Sequence, residues 1–123
     1  MSCLFQSFAY FFPNDSPDII RQKVCSYMAL NKKLGFADSK TYVEWITSES
    51  LNSYVSNMRK TSECGGELEI QVFSELYNCQ VICKNIRDSN NPLTKDIIYI
   101  PKDSIYSQTC TISWDGGHYE PVK

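Results

Sequence analysis

A cysteine near one end of the chain and a histidine near the other are the residues best suited to covalent chemistry. Cys3 precedes the apolar run "LFQSFAYFF", and His118 is the only histidine among 123 residues. A thiol and an imidazole that meet in a fold make a nucleophile and its base. The structural alternative is that Cys3 belongs to the core and that His118 is an ordinary surface residue.

A helix and a strand are the elements that would carry these two residues. Residues 3–12 are apolar on almost every side and precede Pro13, which predicts a buried helix with Cys3 in its first turn. Unpaired N–H groups and the helix dipole favour a thiolate at that position. The segment "HYEPV" predicts a final strand, so the two ends of the chain must meet if the pair is to act.

Helical patterns fill the first two thirds of the chain and strand patterns fill the rest. Ser16 and Pro17 predict the start of a second helix that ends near Gly35, and "TSESLNSYVSNMRKT" and "ELEIQVFSELYN" predict two more. Alternation predicts strands in "CQVICKNI", "DIIYI", "TCTISW" and "HYEPV", with a loop at "RDSNNPLTK". Helices before a small, mostly antiparallel sheet predict an α+β fold, and the length suits one domain spanning 1–123.

Composition argues against several classes of protein. The formal net charge is -2 and no basic cluster is denser than "NKK", so nucleic acid is not an expected partner. No stretch reaches the ~20 apolar residues of a membrane span, and "CLFQSFAYFF" lacks the flanks of a signal peptide. We therefore expect a cytoplasmic protein without a membrane partner; we also expect a monomer.

The other cysteines are expected to be reduced and structural. Six cysteines stand at positions 3, 25, 64, 79, 83 and 110. There is no Cys-x-x-Cys pair, and a strand would separate Cys79 from Cys83 by ~13 Å, which does not suit zinc. We therefore predict no metal and no cofactor. The expected role for Cys25, Cys79, Cys83 and Cys110 is that of small buried apolar residues.

Four segments, taken in order, share motifs with one enzyme family. "CLFQSFAYF" matches a Cys-Leu-Phe nucleophile motif followed by an apolar helix, and "IIRQKVCSYM" matches the next helix. "YVSNMRKTSECGGELEIQVFSELYNCQVIC" matches a long block in which a Gly-Gly pair precedes a helix and a strand, and "ISWDGGHYEPVK" matches a closing Gly-His-Tyr strand. Together they resemble the ovarian tumour (OTU) family of deubiquitinases. The resemblance spans essentially the whole chain and implies a papain-like fold, with a helical half packed on the sheet.

The resemblance implies a thiol-dependent deubiquitinase. Cys3 would attack the carbonyl after the C-terminal Gly-Gly of ubiquitin or a ubiquitin-like modifier, and His118 would hold the thiolate and then protonate the leaving amine. The short, minimal form of the chain also suits a virus-encoded enzyme that strips ubiquitin from host proteins and blunts immune signalling. Two alternatives remain open: a non-catalytic ubiquitin-binding module and a papain-like protease that processes a polyprotein.

A carboxylate is expected to orient the histidine. Glu120 stands two residues after His118, on the same face of a strand, and the resembling family often has Asp or Asn there. We therefore predict that Glu120 is the third catalytic residue. Asp115 is the alternative orienting group, and a solvated carboxylate at Glu120 is the structural alternative.

Trp114, Gly116 and Gly117 are predicted to bind substrate. By the resemblance, the tail to be cut has no side chains, so an aromatic ring could cover it and glycines could admit its backbone. The structural alternative places Trp114 in the core and the glycines in a simple turn.

Two features depart from the family pattern. Many members have an Asp three residues before the cysteine and a loop that supplies oxyanion-hole amides, whereas Met1 and Ser2 precede Cys3 here. We expect amides at the start of the first helix to serve instead, or the enzyme to be slow. Cys64 stands where a tryptophan is common, so packing below the site is expected to differ.

Overall fold

Helices precede a sheet in the computed structural model, which describes residues 3–34, 37–60, 65–86 and 96–123. Within these residues the helices are α1 (Cys3–Phe11), α2 (Pro17–Ala29), α3 (Ser39–Ile46), α4 (Leu51–Met58) and α5 (Glu67–Tyr77). The strands are β1 (Cys79–Asn85), β2 (Ile97–Tyr99), β3 (Gln108–Trp114) and β4 (Tyr119–Pro121). The predicted α+β fold is confirmed. The predicted loop at residues 87–95 lies outside the described residues.

The four strands form one sheet in the order β2-β1-β3-β4. The pairs β1–β2 and β3–β4 are antiparallel, so the expectation of a mostly antiparallel sheet is confirmed. The central pair is parallel and aligns Cys79 with Gln108 and Asn85 with Trp114. At the sheet's edge, β3 and β4 form a hairpin whose turn carries His118.

Local side-chain bonds explain where the helices begin. Ser16 Oγ accepts a hydrogen bond from the Ile19 N–H at 3.2 Å, which caps α2 as predicted. The predicted end of α2 near Gly35 is wrong: the helix ends at Ala29, and Asn31 has a left-handed φ of 53°. Gly35 itself lies outside the described residues. The short helix α3, capped by Asp38, was not predicted.

The core is built around one face of α1. Leu4, Phe5 and Phe8 are fully buried, and the ring of Phe8 stacks on that of Phe73 in α5 with centroids 3.7 Å apart. The opposite face carries Tyr10, which is 45% exposed, so burial is less complete than its apolar sequence predicts. α1 packs against α2 on one side and β4 on the other. This packing brings the beginning of the chain next to its final strand.

None of the helices among the described residues has the length and apolarity needed to cross a bilayer.

Candidate active site

Cys3 is the first residue of α1. The side chain of Cys3 lies outside the part of the structure that is described, and only the Cys3 backbone, at the start of the helix, belongs to that part. The next two residues, Leu4 and Phe5, are fully buried and anchor that first turn in the core. A cysteine at this point meets the positive end of the helix dipole, which favours the thiolate.

The turn between β3 and β4 is held by the Asp115 carboxylate. Asp115 Oδ1 accepts hydrogen bonds from the Gly117 N–H at 3.0 Å and the His118 N–H at 2.8 Å. These backbone bonds, that from Gly117 foremost, lower the pKa of Asp115 below its usual value. Gly116 has a φ of 107°, a conformation that favours glycine. Asp115 therefore fixes the backbone on which His118 stands.

The Glu120 carboxylate contacts the His118 imidazole. His118 Nε2 lies 3.3 Å from Glu120 Oε1, a geometry that becomes an ion pair when the ring is protonated. Both side chains are well exposed, at 51% and 68%. The structure thus brings together the predicted histidine and the predicted orienting carboxylate, whereas Asp115, the alternative, bonds the backbone of the turn. The contact directs Nε2 toward Glu120 and leaves Nδ1 for another partner.

A cleft of about 280 Å³ lies where α1 and the hairpin meet, and residues of both elements line it. Gln6 and Ser7 of α1 form one wall, and His118 and Glu120 lie on the other. The remaining lining residues are Tyr119, Pro121 and Lys123. Sequence reasoning missed this lining, although Gln6 and Ser7 stand three and four residues after Cys3, the spacing of neighbours on one helix face.

The predicted substrate-binding residues surround the same turn. Trp114 is half-buried and packs against the core, with its ring 6.4 Å from that of Tyr119. Gly116 and Gly117 are exposed, and no atom lies within 4 Å of the point where a β-carbon at Gly117 would stand. The core packing expected as the alternative for Trp114 is therefore present, and the open backbone at Gly117 leaves room for a bound chain.

Four other cysteines are buried free thiols, as predicted: Cys25, Cys79, Cys83 and Cys110. Burial is the main cause that raises the pKa of Cys25 and of Cys83 to about 11, so these thiols stay protonated near neutral pH. The part of the chain that is described contains no cluster of three or more His, Cys, Asp or Glu side chains suited to a metal ion. Cys64 lies outside that part.

A buried polar network that sequence reasoning missed holds the start of α5, next to Gly65. Glu69 is only 1% exposed and accepts hydrogen bonds from the Gly66 N–H at 2.7 Å and from the Tyr54 hydroxyl at 2.7 Å. Burial raises the pKa of Glu69, while those two bonds act in the opposite direction. The available signal was the position of Glu69, three residues after Gly66, where a glutamate can accept a hydrogen bond from the N-cap N–H of α5.

Comparison with protein families identifies the arrangement. The family model for OTU-like cysteine proteases matches residues 2–119, nearly the whole chain. The chain belongs to this family. Among its relatives is the "Ubiquitin thioesterase OTU1" of Xenopus laevis, 25% identical over 99% of this chain and 38% of its own length. The rat protein of that name is also 25% identical, over 33% of its length. The chain thus spans 33–38% of the length of these relatives.

Solved structures show the same OTU fold. The OTU domain of OTUD1 superposes with a TM-score of 0.73 at 15% identity, over 97% of this chain and 77% of that one. The viral OTU domain protease from Dera Ghazi Khan virus superposes with a TM-score of 0.68 at 17% identity, over 97% and 72%. The fold expected from the resemblance is therefore confirmed.

Proposed function

We propose that this OTU protein is a deubiquitinase, which hydrolyses the peptide or isopeptide bond after the C-terminal Gly-Gly of ubiquitin or a ubiquitin-like modifier. Family membership and relatives that are named ubiquitin thioesterases support this activity. One observation carries the proposal for the catalytic residues. His118 and Glu120 face α1 across the cleft, on the side where Gln6 and Ser7 line it.

Helix geometry connects this cleft to the nucleophile. Position 3 precedes Gln6 and Ser7 by three and four residues, so it lies on the same face of α1. In the proposed site Cys3 is therefore at the mouth of the cleft, opposite His118. In this proposal Nδ1 of His118 serves the thiol, because Nε2 is directed at Glu120.

The proposed reaction has two stages. The Cys3 thiolate attacks the carbonyl carbon of the terminal glycine, and collapse of the tetrahedral intermediate breaks the C–N bond while the His118 imidazolium gives its proton to the leaving amine. His118 then takes a proton from water, which attacks the thioester and releases the carboxylate and the thiol. Backbone amides at the start of α1 donate hydrogen bonds to the developing oxyanion.

The substrate tail is proposed to run past the β3–β4 turn. The exposed backbone at Gly116 and Gly117 lets a side-chain-free Gly-Gly segment approach closely, and Trp114 borders that path. A virus-encoded enzyme that acts on host conjugates in the cytoplasm, as a monomer, is the finer form of the proposal. Its support is the sequence resemblance, together with a viral OTU domain protease among the structural neighbours.

A ubiquitin probe with an electrophile at its C-terminus tests the proposal. We expect wild-type protein to form a covalent adduct, visible as a mass increase of one ubiquitin, and Cys3→Ala to form none. Cys83→Ala is the matched control, because this thiol is only 6% exposed and its loss should leave the adduct unchanged. Cleavage of a panel of di-ubiquitins then reports which linkages are hydrolysed.

The other outcomes separate the alternatives. Ubiquitin binding without an adduct would indicate a non-catalytic ubiquitin-binding module. A Cys3-dependent cleavage of unrelated peptides, without reaction on the ubiquitin probe, would indicate a papain-like processing protease. Either result would contradict the proposed deubiquitinase.

A further inference from the structure

The backbone at Gly65 lies directly against the first turn of α1. A β-carbon at Gly65 would lie 2.4 Å from Leu4 Cδ2 and 3.3 Å from Phe5 Cε2. Real β-carbons essentially never approach other atoms as closely as 2.4 Å, so a larger residue must move the end of the Leu4 side chain or the helix. Leu4 is fully buried, so its side chain has no open space to enter. Leu4 and Phe5 follow Cys3 directly and are fully buried. The absence of a side chain at Gly65 therefore determines how far the start of α1 settles into the core.

The Phe5 side chain has little freedom to turn away from Gly65. The Arg21 guanidinium lies 4.5 Å from the centre of the Phe5 ring, and Phe8 packs edge-on against that ring at 6.0 Å. Arg21 is itself buried and donates a hydrogen bond to the Met58 carbonyl at 2.6 Å. Phe5 is thus packed from several directions, so an added group at Gly65 would displace the helix turn.

The segment that carries Gly65 is held equally firmly. The neighbouring Gly66 N–H donates to Glu69 Oε1, and the Tyr54 hydroxyl donates to Glu69 Oε2. Because this carboxylate is buried, losing a partner would leave a polar group unpaired in the core, which is unfavourable. The Gly65–Gly66 backbone therefore limits how closely the first turn of α1 can approach.

We propose that Gly65 is a positioning residue, which sets the place of the first turn of α1 and thereby of the Cys3 sulfur relative to His118. This inference rests on the proposed function, in which Cys3 is the nucleophile. A displacement of about 1 Å near reacting atoms can lower a rate about 10²-fold. Gly65→Ala should therefore lower kcat by about that factor with little change in KM, because the substrate-binding turn is untouched.

The experiment compares four variants: Gly65→Ala, Gly66→Ala, Leu4→Val and the double variant Leu4→Val/Gly65→Ala. The first readout is the rate of Cys3 alkylation by iodoacetamide as a function of pH, assigned to Cys3 by peptide mass spectrometry. The second is kcat and KM on ubiquitin with a fluorogenic C-terminal amide, per folded molecule from circular dichroism. Gly66→Ala is the matched control, because its β-carbon would meet only Glu69 Oε1, at 3.8 Å, and its N–H is kept.

We expect Gly65→Ala to move the alkylation profile to higher pH and Gly66→Ala to keep it. Leu4→Val shortens the side chain by one methylene, so that no δ-methyl reaches Gly65, and should also shift the profile. The double variant exchanges one methyl for another and should recover most of the wild-type behaviour. Because the alkylation profile is a property of the folded protein, its recovery would not arise from restored stability alone.

Unshifted alkylation profiles and a wild-type kcat per folded molecule in Gly65→Ala would overturn the proposal. If Gly65→Ala does not fold, Leu4→Val carries the same test, and an unshifted profile in that folded protein overturns the proposal. A wild-type protein that does not turn over ubiquitin contradicts the proposed function. The alkylation profiles still decide the role of Gly65 in that case.

Discussion

The two walls of the cleft are held in place by different interactions. On the α1 side, Leu4, Phe5 and Phe8 are fully buried and rest on aromatic stacking and close packing. On the hairpin side, His118 and Glu120 are exposed, and the turn depends on hydrogen bonds made by one carboxylate. Packing thus fixes α1, which begins with Cys3, and local polar contacts fix the turn that carries the His118 imidazole.

This difference indicates that stability and chemistry can be separated at positions away from the contact between Leu4 and Gly65. A substitution on the buried wall removes contacts on which the whole core depends, so it should change the free energy of unfolding. A substitution on the exposed wall removes few contacts, so it should change turnover and leave the fold intact. Four predictions examine that separation.

The largest effect is expected from removing the imidazole. His118→Asn should lower kcat by about 10²- to 10⁴-fold, because general acid–base catalysis contributes about that much. The change in stability should stay within about 0.5 kcal/mol, since the side chain is half exposed. Turnover of the fluorogenic ubiquitin amide and the midpoint of urea unfolding measure the two quantities. A large loss of stability together with the loss of turnover would show that the exposed wall also supports the fold, contrary to the comparison above.

The reverse pattern is expected at Phe8. Phe8→Ala should lower the free energy of unfolding by about 3–5 kcal/mol, because it leaves a cavity beside the stacked ring of Phe73. Turnover per folded molecule should fall far less than in His118→Asn. Tyr10→Ala is the control on the same helix and should cost under about 1 kcal/mol, because Tyr10 is 45% exposed. Equal losses at both positions would show that α1 is not the buried wall described above.

A smaller effect is expected from the contact between His118 and Glu120. Exposed ion pairs contribute little, so Glu120→Gln should lower kcat/KM by up to about fivefold. The difference from wild type should shrink as salt is added, because exposed charges are screened over about 10 Å at 0.1 M ionic strength. The kcat/KM of wild type and Glu120→Gln, each at low and high salt, measures this difference. A loss of several hundredfold, insensitive to salt, would show that Glu120 acts from a far less exposed position.

The smallest effect concerns the pH dependence of the turn. The hydrogen bonds from the Gly117 and His118 N–H groups hold the pKa of Asp115 below its usual 3.8. The order that Asp115 gives the turn is therefore fully present above that value and is lost as pH falls through the lower folded-state pKa. Amide NMR signals of Gly117 and His118 should titrate below pH 3.8 in wild type and stay flat in Asp115→Asn. If these amide signals titrate above pH 3.8 instead, the pKa of Asp115 is raised in the folded protein, which would contradict stabilisation of its carboxylate by the turn.

Local patterns predicted most of the elements around the cleft. The apolar run closed by Pro13 predicted α1, and Ser16 predicted the start of α2, because each signal acts on its own few residues. Alternation predicted β3, in which Cys110 and Ile112 are buried. The two-residue spacing of His118 and Glu120 also placed them together, since a hairpin edge is organised by neighbouring residues.

The features that could not be predicted depend on distant contacts or on weak local signals. The helix α3 is short and has only Tyr42 and Val43 as buried apolar residues, so its pattern is weak. α2 ends before a left-handed Asn31, where the expected signal was glycine. The parallel pairing of β1 and β3 and the contact between Gly65 and Leu4 join segments far apart in the chain. Only the folded structure brings such pairs together.

The most direct measurement is the pH dependence of Cys3 alkylation in wild type and in His118→Asn, with every cysteine followed by mass spectrometry. If the thiol and imidazole form one site, wild-type Cys3 should react well below pH ~8.5, the ordinary pKa of a free cysteine. His118→Asn should move that profile to higher pH, while the buried Cys25 and Cys83 stay unreactive in both proteins. Identical Cys3 profiles in the two proteins would contradict the pairing of Cys3 with His118.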